Sequence, residues 1–438
     1  ALLMGAFSAD CPTILEVTGP MLAGNLRGER IGACTDCRRL WGMHRAGEID
    51  AAGIEAASEK LVPSAGTCGV MGTASTMALM SEAMGIMLPE GAAIPAVMSD
   101  RMRHAEETGS RAVSIAAENL KPSDIITQDS INNALRTLQA IGGSTNAIVH
   151  IAAVAGRLGL DASLNRLDAI GKETPVLVDL KPAGKNYMED LYRAGGLAPV
   201  LREIESSLAL DAKTVTGKTL GENLAASPAA WAQEIVKPAS VPLAKNEGMI
   251  ALRGSLAPNG AVLKKAAASP DLLQFEGRAV VFEDLEDLAE RIDSEDLDVT
   301  KDDVIVLKHA GPKGAPGMPE AGYIPIPIKL ARKGVKDMLR LSDARMSGTA
   351  FGTIILHISP ESADGGPLAL VENGDIIKLD ADARTLDLCV SDEEMAARRA
   401  RYTPRPPHAG SDRGYLKLYL DTVTQAEDGC DFDFLIPK

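Results

Sequence analysis

The 438-residue chain is predicted to be an α/β protein with two domains, an amino-terminal α/β domain over residues 1–240 and a carboxyl-terminal β-barrel-like domain over residues 249–438. Helical patterns with few strands fill the first part, whereas short apolar runs between turn signals fill the second. Between them, segment 236–248 has two prolines and little periodicity, as is typical of a linker.

The first domain is expected to open inside an α/β unit. Residues 1–6 have helical character, a strand follows at 12–18, and Gly19-Pro20-Met21 forms the turn after it. Apolar residues at helical spacing predict further helices at 53–61, 75–84, 100–118, 129–140, 145–158 and 187–194. Ser144 or Thr145 would begin the helix at 145–158, because serine and threonine are good N-caps.

The second domain is predicted to be a compact sheet or barrel, because its apolar runs are short and closely spaced. The helices expected here are 285–292 and a closing helix near 416–427. The predicted strands are 249–253, 279–282, 304–307, 338–341, 353–358, 368–371, 375–379 and 385–390.

Composition excludes several classes of partner. Lys and Arg number 45 against 60 Asp and Glu, so the net charge of −15 disfavours nucleic acid and anionic membranes. The uncharged stretches 61–81 and 137–156 contain too many Gly, Ser and Thr residues to cross a bilayer. Six cysteines are too few for a disulfide scaffold and suit a reducing compartment, so the cytoplasm is the expected location.

Cys68 is a candidate metal ligand, because it lies in the Gly-rich segment 66–77 that runs into a helix. The positive end of that helix would lower the pKa of the thiol and suit iron ligation. A small buried structural cysteine is the alternative. Cys34 and Cys37 form one Cys-x-x-Cys pair, and the chain has no second pair at the spacing of zinc ligands. A complete zinc site is therefore excluded, and the pair is either a redox pair or an incidental loop pair.

Two loops of the second domain have candidate chemistry. The Gly- and Pro-rich segment 311–320 ends in Glu320, whose carboxylate suits Mg²⁺; a surface connector is the alternative. Ser347 lies beside Gly348 in a turn between two predicted strands and could project its hydroxyl into a cleft. No Ser-His-Asp arrangement can be assembled around it by spacing, so this motif alone is ambiguous.

The segment Gly142-Gly143-Ser144-Thr145-Asn146 opens a helix, and such an N-terminus can bind a substrate carboxylate or phosphate. His150 follows on the same face. The alternative is an ordinary N-cap with a satisfied core histidine.

Taken together, five segments in this order resemble the dihydroxy-acid and phosphogluconate dehydratase family, above all its sugar-acid branch. They are the Gly19-Pro20-Met21 turn, the Cys68 loop, residues 142–146, residues 311–320 and residues 342–348. The resemblance implies an amino-terminal α/β/α domain and a β-barrel-like swivelling domain with the active site between them. It also implies an iron-sulfur cluster, 2Fe-2S in that branch, and Mg²⁺.

By this resemblance Cys68 would be a cluster ligand, Glu320 a Mg²⁺ ligand and Ser347 the catalytic base. Ser144, Thr145, Asn146 and Thr349 are the candidate substrate-binding residues. The family's other two cluster cysteines and its Cys-Asp-Lys motif are expected before Ala1, so Cys34 and Cys37 receive no ligand role.

The implied activity is dehydration of a sugar acid, an aldonate of the L-arabinonate, D-xylonate or D-galactonate type, by a homodimer or homotetramer. Dihydroxy-acid dehydration in branched-chain amino acid biosynthesis is one alternative. A non-catalytic sugar-acid-binding relative is another, although retention of Cys68, Glu320 and Ser347 argues against it.

Overall fold

The computed structural model describes residues 1–229, 231–348 and 351–437, and its amino-terminal half is mainly helical. The elements of this half are α1 (Leu2–Ala9), β1 (Gly24–Leu26), β2 (Glu29–Ile31), α2 (Ala33–Ala46), α3 (Ala51–Ser58), α4 (Thr73–Ala83), α5 (Ser99–Glu118), α6 (Pro122–Ile125), α7 (Gln128–Ala140), α8 (Asn146–Gly156), α9 (Leu164–Glu173), α10 (Met188–Arg193), α11 (Ala198–Glu203) and α12 (Leu220–Ala226).

Side-chain caps start several of these helices, and apolar faces hold them together. Asp50, Thr127 and Ser163 accept a backbone N–H at the starts of α3, α7 and α9. Helices α4, α7 and α8 form the centre of this half, where Met80, Leu138 and Ile151 share one core. Burial of these faces, more than helix propensity, stabilises the arrangement.

The predicted helices of this half are present, with bounds shifted by a few residues. The strand predicted at 12–18 is reduced to a single parallel bridge between Leu15 and Met87. Helix α2 is absent from the sequence prediction, and the placement of Cys34 and Cys37 in a loop is wrong, because both lie in α2. Asp36 accepts the Gly32 N–H at 2.8 Å and helps to start this helix.

The carboxyl-terminal half contains most of the strands. Its elements are β3 (Ile250–Leu252), β4 (Gly260–Leu263), β5 (Gln274–Phe282), α13 (Leu285–Arg291), β6 (Val304–Leu307), α14 (Ile328–Ala331), β7 (Arg340–Ser342), β8 (Ile354–Ser359), β9 (Ile376–Asp380), β10 (Thr385–Leu388), α15 (Asp392–Arg401) and α16 (Gly414–Thr422).

These strands form one eight-stranded sheet in the order β10-β9-β5-β6-β7-β8-β4-β3 within the described residues. Strands β5 to β8 are mutually parallel and the outer pairs are antiparallel. The two edges meet where Arg253 pairs with Thr385, so the sheet closes into a barrel-like form. Alternate side chains such as Val281 and Val306 fill its interior.

Two strand expectations need correction. Residues 368–371 are predicted as a strand, but Pro367–Leu370 is a 3-10 helix that begins with proline. Strand β4 (Gly260–Leu263), an apolar run of four residues, is missing from the prediction, and its pairing with β3 and β8 makes it a strand. The segment predicted as a linker, 236–248, contains a turn and bends, and it pairs through Val236 and Ala244 with Val178 and Val176.

The barrel directs two loops at the helical half. Since β6 and β7 are parallel neighbours, the loops that follow them leave the same end of the sheet. These loops contain Glu320 and Ser347, and they face the start of α8. No helix in the described part of the chain is both long enough and apolar enough to span a membrane.

Candidate functional site

The start of α8 is packed tightly onto α4. A Cβ on Gly143 would lie 2.7 Å from Thr76 Cγ2, so only glycine permits this approach. The Ser144 N–H donates to Thr76 Oγ1 at 3.0 Å, and the Ser144 and Thr73 hydroxyls are 3.0 Å apart. Ser144 therefore fixes α8 against the helix that follows the Cys68 loop.

Thr145 connects the two halves of the chain. It is the N-cap residue of α8, yet its side chain caps no helical N–H. Instead Thr145 Oγ1 donates to the Met346 carbonyl at 2.7 Å. Because Met346 precedes Ser347, this bond holds the serine-bearing loop against α8.

Asn146 connects α8 to the Glu320 loop and to α4. Its Nδ2 donates to Glu320 Oε1 at 2.6 Å and to Thr73 Oγ1 at 3.1 Å. Its Oδ1 is buried and has no hydrogen-bond partner in the described part of the chain. An orphaned amide oxygen beside a carboxylate could accept a substrate hydroxyl or face a cation.

The Cys68 loop rests on the turn predicted at Gly19-Pro20-Met21. The Thr67 N–H donates to the Gly19 carbonyl at 2.9 Å, and the Met21 N–H donates to the Thr67 carbonyl at 2.8 Å. Gly66 has φ +132°, and a Cβ there would lie 2.4 Å from Met21 N. The Ser75 hydroxyl donates to the Cys68 carbonyl at 3.3 Å, which ties the loop to α4.

Cys68 lies next to Cys34. A hydrogen bond with the Cys34 side chain and burial raise the pKa of the Cys68 thiol. The expectation of a lowered pKa for this thiol is therefore wrong, because burial and the contact with Cys34 raise it. Burial and the neighbouring Cys34 also raise the pKa of Cys37. The structure thus brings Cys34 of α2 to the Cys68 loop, an arrangement that the sequence pattern does not predict.

Glu320 ends a loop that is held at its beginning by Glu361. The Glu361 carboxylate accepts the N–H groups of Lys313 and Gly314 at 3.0 and 2.9 Å. At the other end, Glu320 Oε1 accepts from Asn146 and lies 3.3 Å from the Arg345 guanidinium. Arg345 Nε also donates to the Met318 carbonyl, which draws the two barrel loops together.

Ser347 is buried in the loop between β7 and β8, with 7% of its surface exposed. The next residue, Gly348, has φ +70°, and a Cβ there would lie 3.2 Å from Ser144 Cα. A left-handed glycine in close contact with α8 thus follows the candidate base directly. Thr349 lies outside the described residues.

Sequence reasoning missed Lys264, which directly follows β4 and is 5% exposed. Its Nζ donates to the Gly348 carbonyl at 3.2 Å, and burial lowers its pKa to about 7. The available signal is a lysine at the end of an apolar run. That signal indicates a buried lysine only if β4 is known to be a strand, and the sequence pattern does not predict β4.

Two histidines, His150 and His357, lie near Arg345 at the candidate site. Burial and the charge of Arg345 lower the pKa of His150 to about 4. Burial, Arg345 and His150 lower the pKa of His357 to about 3. Both imidazoles are therefore neutral near pH 7.

The donor atoms present fit the implied cofactors in part. Cysteine thiolates suit an iron-sulfur cluster, and Cys68 sits on a loop held by several backbone bonds. The Glu320 carboxylate and the orphaned Asn146 oxygen are hard donors of the kind that Mg²⁺ prefers. Within the described residues, no group of three His, Cys, Asp or Glu side chains is placed to hold a metal ion.

Comparison with known families gives matches to most of the chain. Residues 1–223 match the amino-terminal domain described as dihydroxy-acid/6-phosphogluconate dehydratase. Residues 234–430 match the carboxyl-terminal domain of the same description.

Curated relatives match over nearly the full chain and about three quarters of their own length. The chain is 50% identical to the L-arabonate dehydratase of Azospirillum brasilense, over 100% of this chain and 76% of the relative. It is 48% identical to the L-arabinonate dehydratase of Rhizobium leguminosarum bv. trifolii, over 99% and 75%. It is 44% identical to the 6-deoxy-6-sulfo-D-gluconate dehydratase of Pseudomonas putida, over 99% and 75%.

Proposed function

We propose that this chain, which belongs to the dihydroxy-acid/6-phosphogluconate dehydratase family, removes water from a sugar acid to give the 2-keto-3-deoxy acid. Three relatives of 44–50% identity are named for the dehydration of arabinonate or sulfogluconate, which supports a sugar-acid substrate. Fold and family alone do not fix a substrate, so the proposal depends on the site.

One observation carries the proposal: the start of α8 contacts all three candidate regions. Thr145 holds the Ser347 loop at 2.7 Å, Asn146 holds Glu320 at 2.6 Å, and Ser144 contacts Thr73 of the helix after Cys68. The loop of the proposed proton acceptor Ser347, the proposed oxygen ligand Glu320 and the helix after the proposed thiolate ligand Cys68 thereby meet at one helix start. Such a gathering suits a dehydration, which needs a base at one carbon and an electrophile at the next.

Ser347, after its own hydroxyl proton has passed to solvent, is proposed as the base that takes the C2 proton. The electron pair of the broken C–H bond forms the C2–C3 double bond, and the C3 hydroxyl leaves as hydroxide. Ser347 then gives the proton that it has taken to this hydroxide, and water forms. The enol then gains a proton at C3 from solvent and loses the proton of its C2 hydroxyl, which gives the keto acid.

Two of the candidate residues are proposed as cofactor ligands. Cys68 would hold an iron-sulfur cluster, 2Fe-2S by resemblance, and Glu320 would hold Mg²⁺. When bound, these groups supply Lewis acids for the departing hydroxyl and for the negative charge that develops on the substrate. The Asn146–Glu320 bond keeps the carboxylate of Glu320 directed at the site.

Ser144, Thr145, Asn146 and Thr349 are proposed to line the substrate site. Asn146 is the strongest of these, because its Oδ1 is buried and unpartnered within the described residues. The Thr145 hydroxyl is already occupied by Met346, so its side chain would act by positioning. A pentonate is the leading substrate, with hexonates next, because the relatives are named for both chain lengths.

We also propose that residues 1–240 and 249–438 form the two domains, with the site between them. A homodimer or homotetramer in the cytoplasm, with cytoplasmic thiols kept reduced, is the proposed state of the enzyme.

The testing experiment is keto-acid formation by the full-length protein after anaerobic reconstitution with iron, sulfide and Mg²⁺. The panel contains arabinonate, xylonate, galactonate, gluconate and 2,3-dihydroxyisovalerate. Turnover of an aldonate is expected. Turnover of dihydroxyisovalerate alone would move the substrate to the branched-chain amino acid pathway. No turnover with a measured intact cluster would favour a sugar-acid-binding relative without catalysis.

A further inference from the structure

Lys264 is a buried lysine without a carboxylate partner in the described part of the chain. Lys308, which is similarly buried, pairs with Glu283 at 2.9 Å. Lys264 instead donates to a carbonyl, that of Gly348, at 3.2 Å. Burying an ammonium without a counter-ion is costly, and such groups are concentrated at functional sites.

The position of Lys264 connects it to the candidate base. The strand before it, β4, pairs with β8, which begins just after the Ser347 loop. A Cβ on Gly348 would lie 3.7 Å from Lys264 Nζ and 3.3 Å from Thr145 N. The lysine therefore reaches the point where the Ser347–Gly348 turn meets the start of α8.

The other basic groups nearby cannot supply a free positive charge at this point. Arg345 is engaged by Glu320 and by the Met318 carbonyl. His150 and His357 are neutral near pH 7, because burial lowers the pKa of each. A serine hydroxyl loses its proton only if a nearby cation stabilises the alkoxide, and Lys264 binds the carbonyl of the residue that follows Ser347.

We propose that Lys264 is a positioning residue for Ser347, which fixes the Ser347–Gly348 turn through the Gly348 carbonyl and places a cation beside the base. This inference rests on the proposed function, because it requires Ser347 to accept the C2 proton. Deprotonation of Ser347 releases its proton to solvent and leaves an alkoxide on the residue next to Gly348, whose carbonyl the lysine binds. The low pKa caused by burial agrees with an ammonium that lacks an anion until this alkoxide forms.

Three variants separate charge from hydrogen bonding. Lys264→Gln keeps an N–H donor for the Gly348 carbonyl but has no charge, Lys264→Arg keeps the charge, and Lys264→Met removes both. The matched control is Lys265→Met, because the neighbouring Lys265 pairs with Glu247 at 2.9 Å, away from the Ser347 turn. Each holoenzyme is assayed for kcat, KM, cluster content and the kinetic isotope effect with C2-deuterated substrate.

We expect Lys264→Gln and Lys264→Met to lower kcat by about 100-fold or more while KM changes by about threefold or less. Lys264→Arg should retain more activity than Lys264→Gln, and Lys265→Met should match wild type. The isotope effect should rise in Lys264→Gln, because proton removal at C2 becomes slower. A purely structural lysine would not change that isotope effect.

Wild-type kcat and isotope effect in Lys264→Gln would overturn the inference, and so would equal losses in Lys264→Gln and Lys264→Arg. If Lys264→Met does not fold, the kcat and isotope effect of Lys264→Gln and Lys264→Arg still test the inference. Ser347→Ala is measured alongside: activity in that variant removes the base assignment of the proposed function itself. An inactive Ser347→Ala with a fully active Lys264→Gln would overturn the role of Lys264 alone.

Discussion

Asn146 donates from Nδ2 to Glu320 Oε1 at 2.6 Å, which joins the start of α8 to the loop that follows β6. The two residues are 174 positions apart in sequence, and each belongs to a separate motif of polar and glycine residues. This bond brings a residue of the helical half to a candidate Mg²⁺ ligand on the barrel half. It is the contact that most directly joins the motifs 142–146 and 311–320 into one site.

Removal of the Asn146 amide should weaken the site at Glu320. Asn146→Ala leaves Glu320 without its donor, so we expect the apparent Mg²⁺ affinity to fall by about 10- to 100-fold. The free energy of unfolding should fall by about 1–3 kcal/mol, because a buried hydrogen-bonding group is lost. Mg²⁺ titrations of activity and urea unfolding measure the two effects. Asn165→Ala, at an exposed position of α9, is the control, and equal Mg²⁺ dependence in both variants would contradict the prediction.

Ser347→Ala should abolish turnover and leave the fold and the cluster intact. The loss removes the proposed proton acceptor, so a fall in kcat of at least about 100-fold is expected. Rate measurements, iron and acid-labile sulfide analysis and a thermal melt check these expectations together. Wild-type turnover in this variant would eliminate Ser347 as the base.

Gly348→Ala should disturb the Ser347 loop through crowding. The new Cβ would lie 3.2 Å from Ser144 Cα and 3.3 Å from Thr145 N, on a backbone with φ +70°. Gly374→Ala is the matched control, since Gly374 has φ +93° and nothing within 4 Å. Both variants bear the cost of a left-handed alanine, about 1–3 kcal/mol. Gly348→Ala should in addition lower kcat by about 10- to 100-fold, and equal kcat in the two variants would argue against contact with α8 as the cause.

Stability should depend on pH through Glu16 and His104. His104 Nδ1 lies 2.8 Å from Glu16 Oε2, and Arg101 donates to Glu16 Oε1 at 2.6 Å. Burial alone would lower the pKa of His104, but its hydrogen bond with Glu16 and the charge of Glu16 raise it overall. Burial alone would raise the pKa of Glu16, yet hydrogen bonds with His104 and Arg101 and their charges lower it overall.

The sign of the effect follows from these directions. The raised pKa of His104 gives stability that is present below its ordinary value of 6.5 and is lost as pH rises through the raised value. The lowered pKa of Glu16 gives stability that is lost as pH falls below 4.5 through the lowered value. Near pH 6, His104→Gln should therefore unfold with about 1–2 kcal/mol less free energy than wild type. That difference should shrink toward alkaline pH in urea unfolding.

The sequence by itself determined the fold class, the family and most of the elements. Amphipathic periodicity is a local property, so helices such as α5 and α7 were predictable, and buried apolar runs marked β6 and β8. The family resemblance rested on loops in which Gly, Pro and one polar residue recur in a fixed order. It is confirmed by matches to residues 1–223 and 234–430.

The local pattern failed where tertiary contacts decide the outcome. An apolar run at 368–371 is buried equally well as a 3-10 helix, and Pro367 favours that form. Helix α2 has Arg38 and Arg39 in its middle. It is stabilised by Asp36, which bonds to Lys181 and Tyr187 far along the chain. No pattern within α2 contains these partners.

The tertiary structure alone decided which groups share the site and in what state. Cys34 reaches Cys68 only because α2 packs beside the Cys68 loop, and that contact reverses the expected direction of the Cys68 pKa shift. Lys264 is adjacent to Gly348 only because β4 and β8 pair, with Val262 opposite Leu356. Burial, hydrogen-bond partners and pKa values depend on residues distant in sequence, and for that reason they follow from packing and not from local pattern.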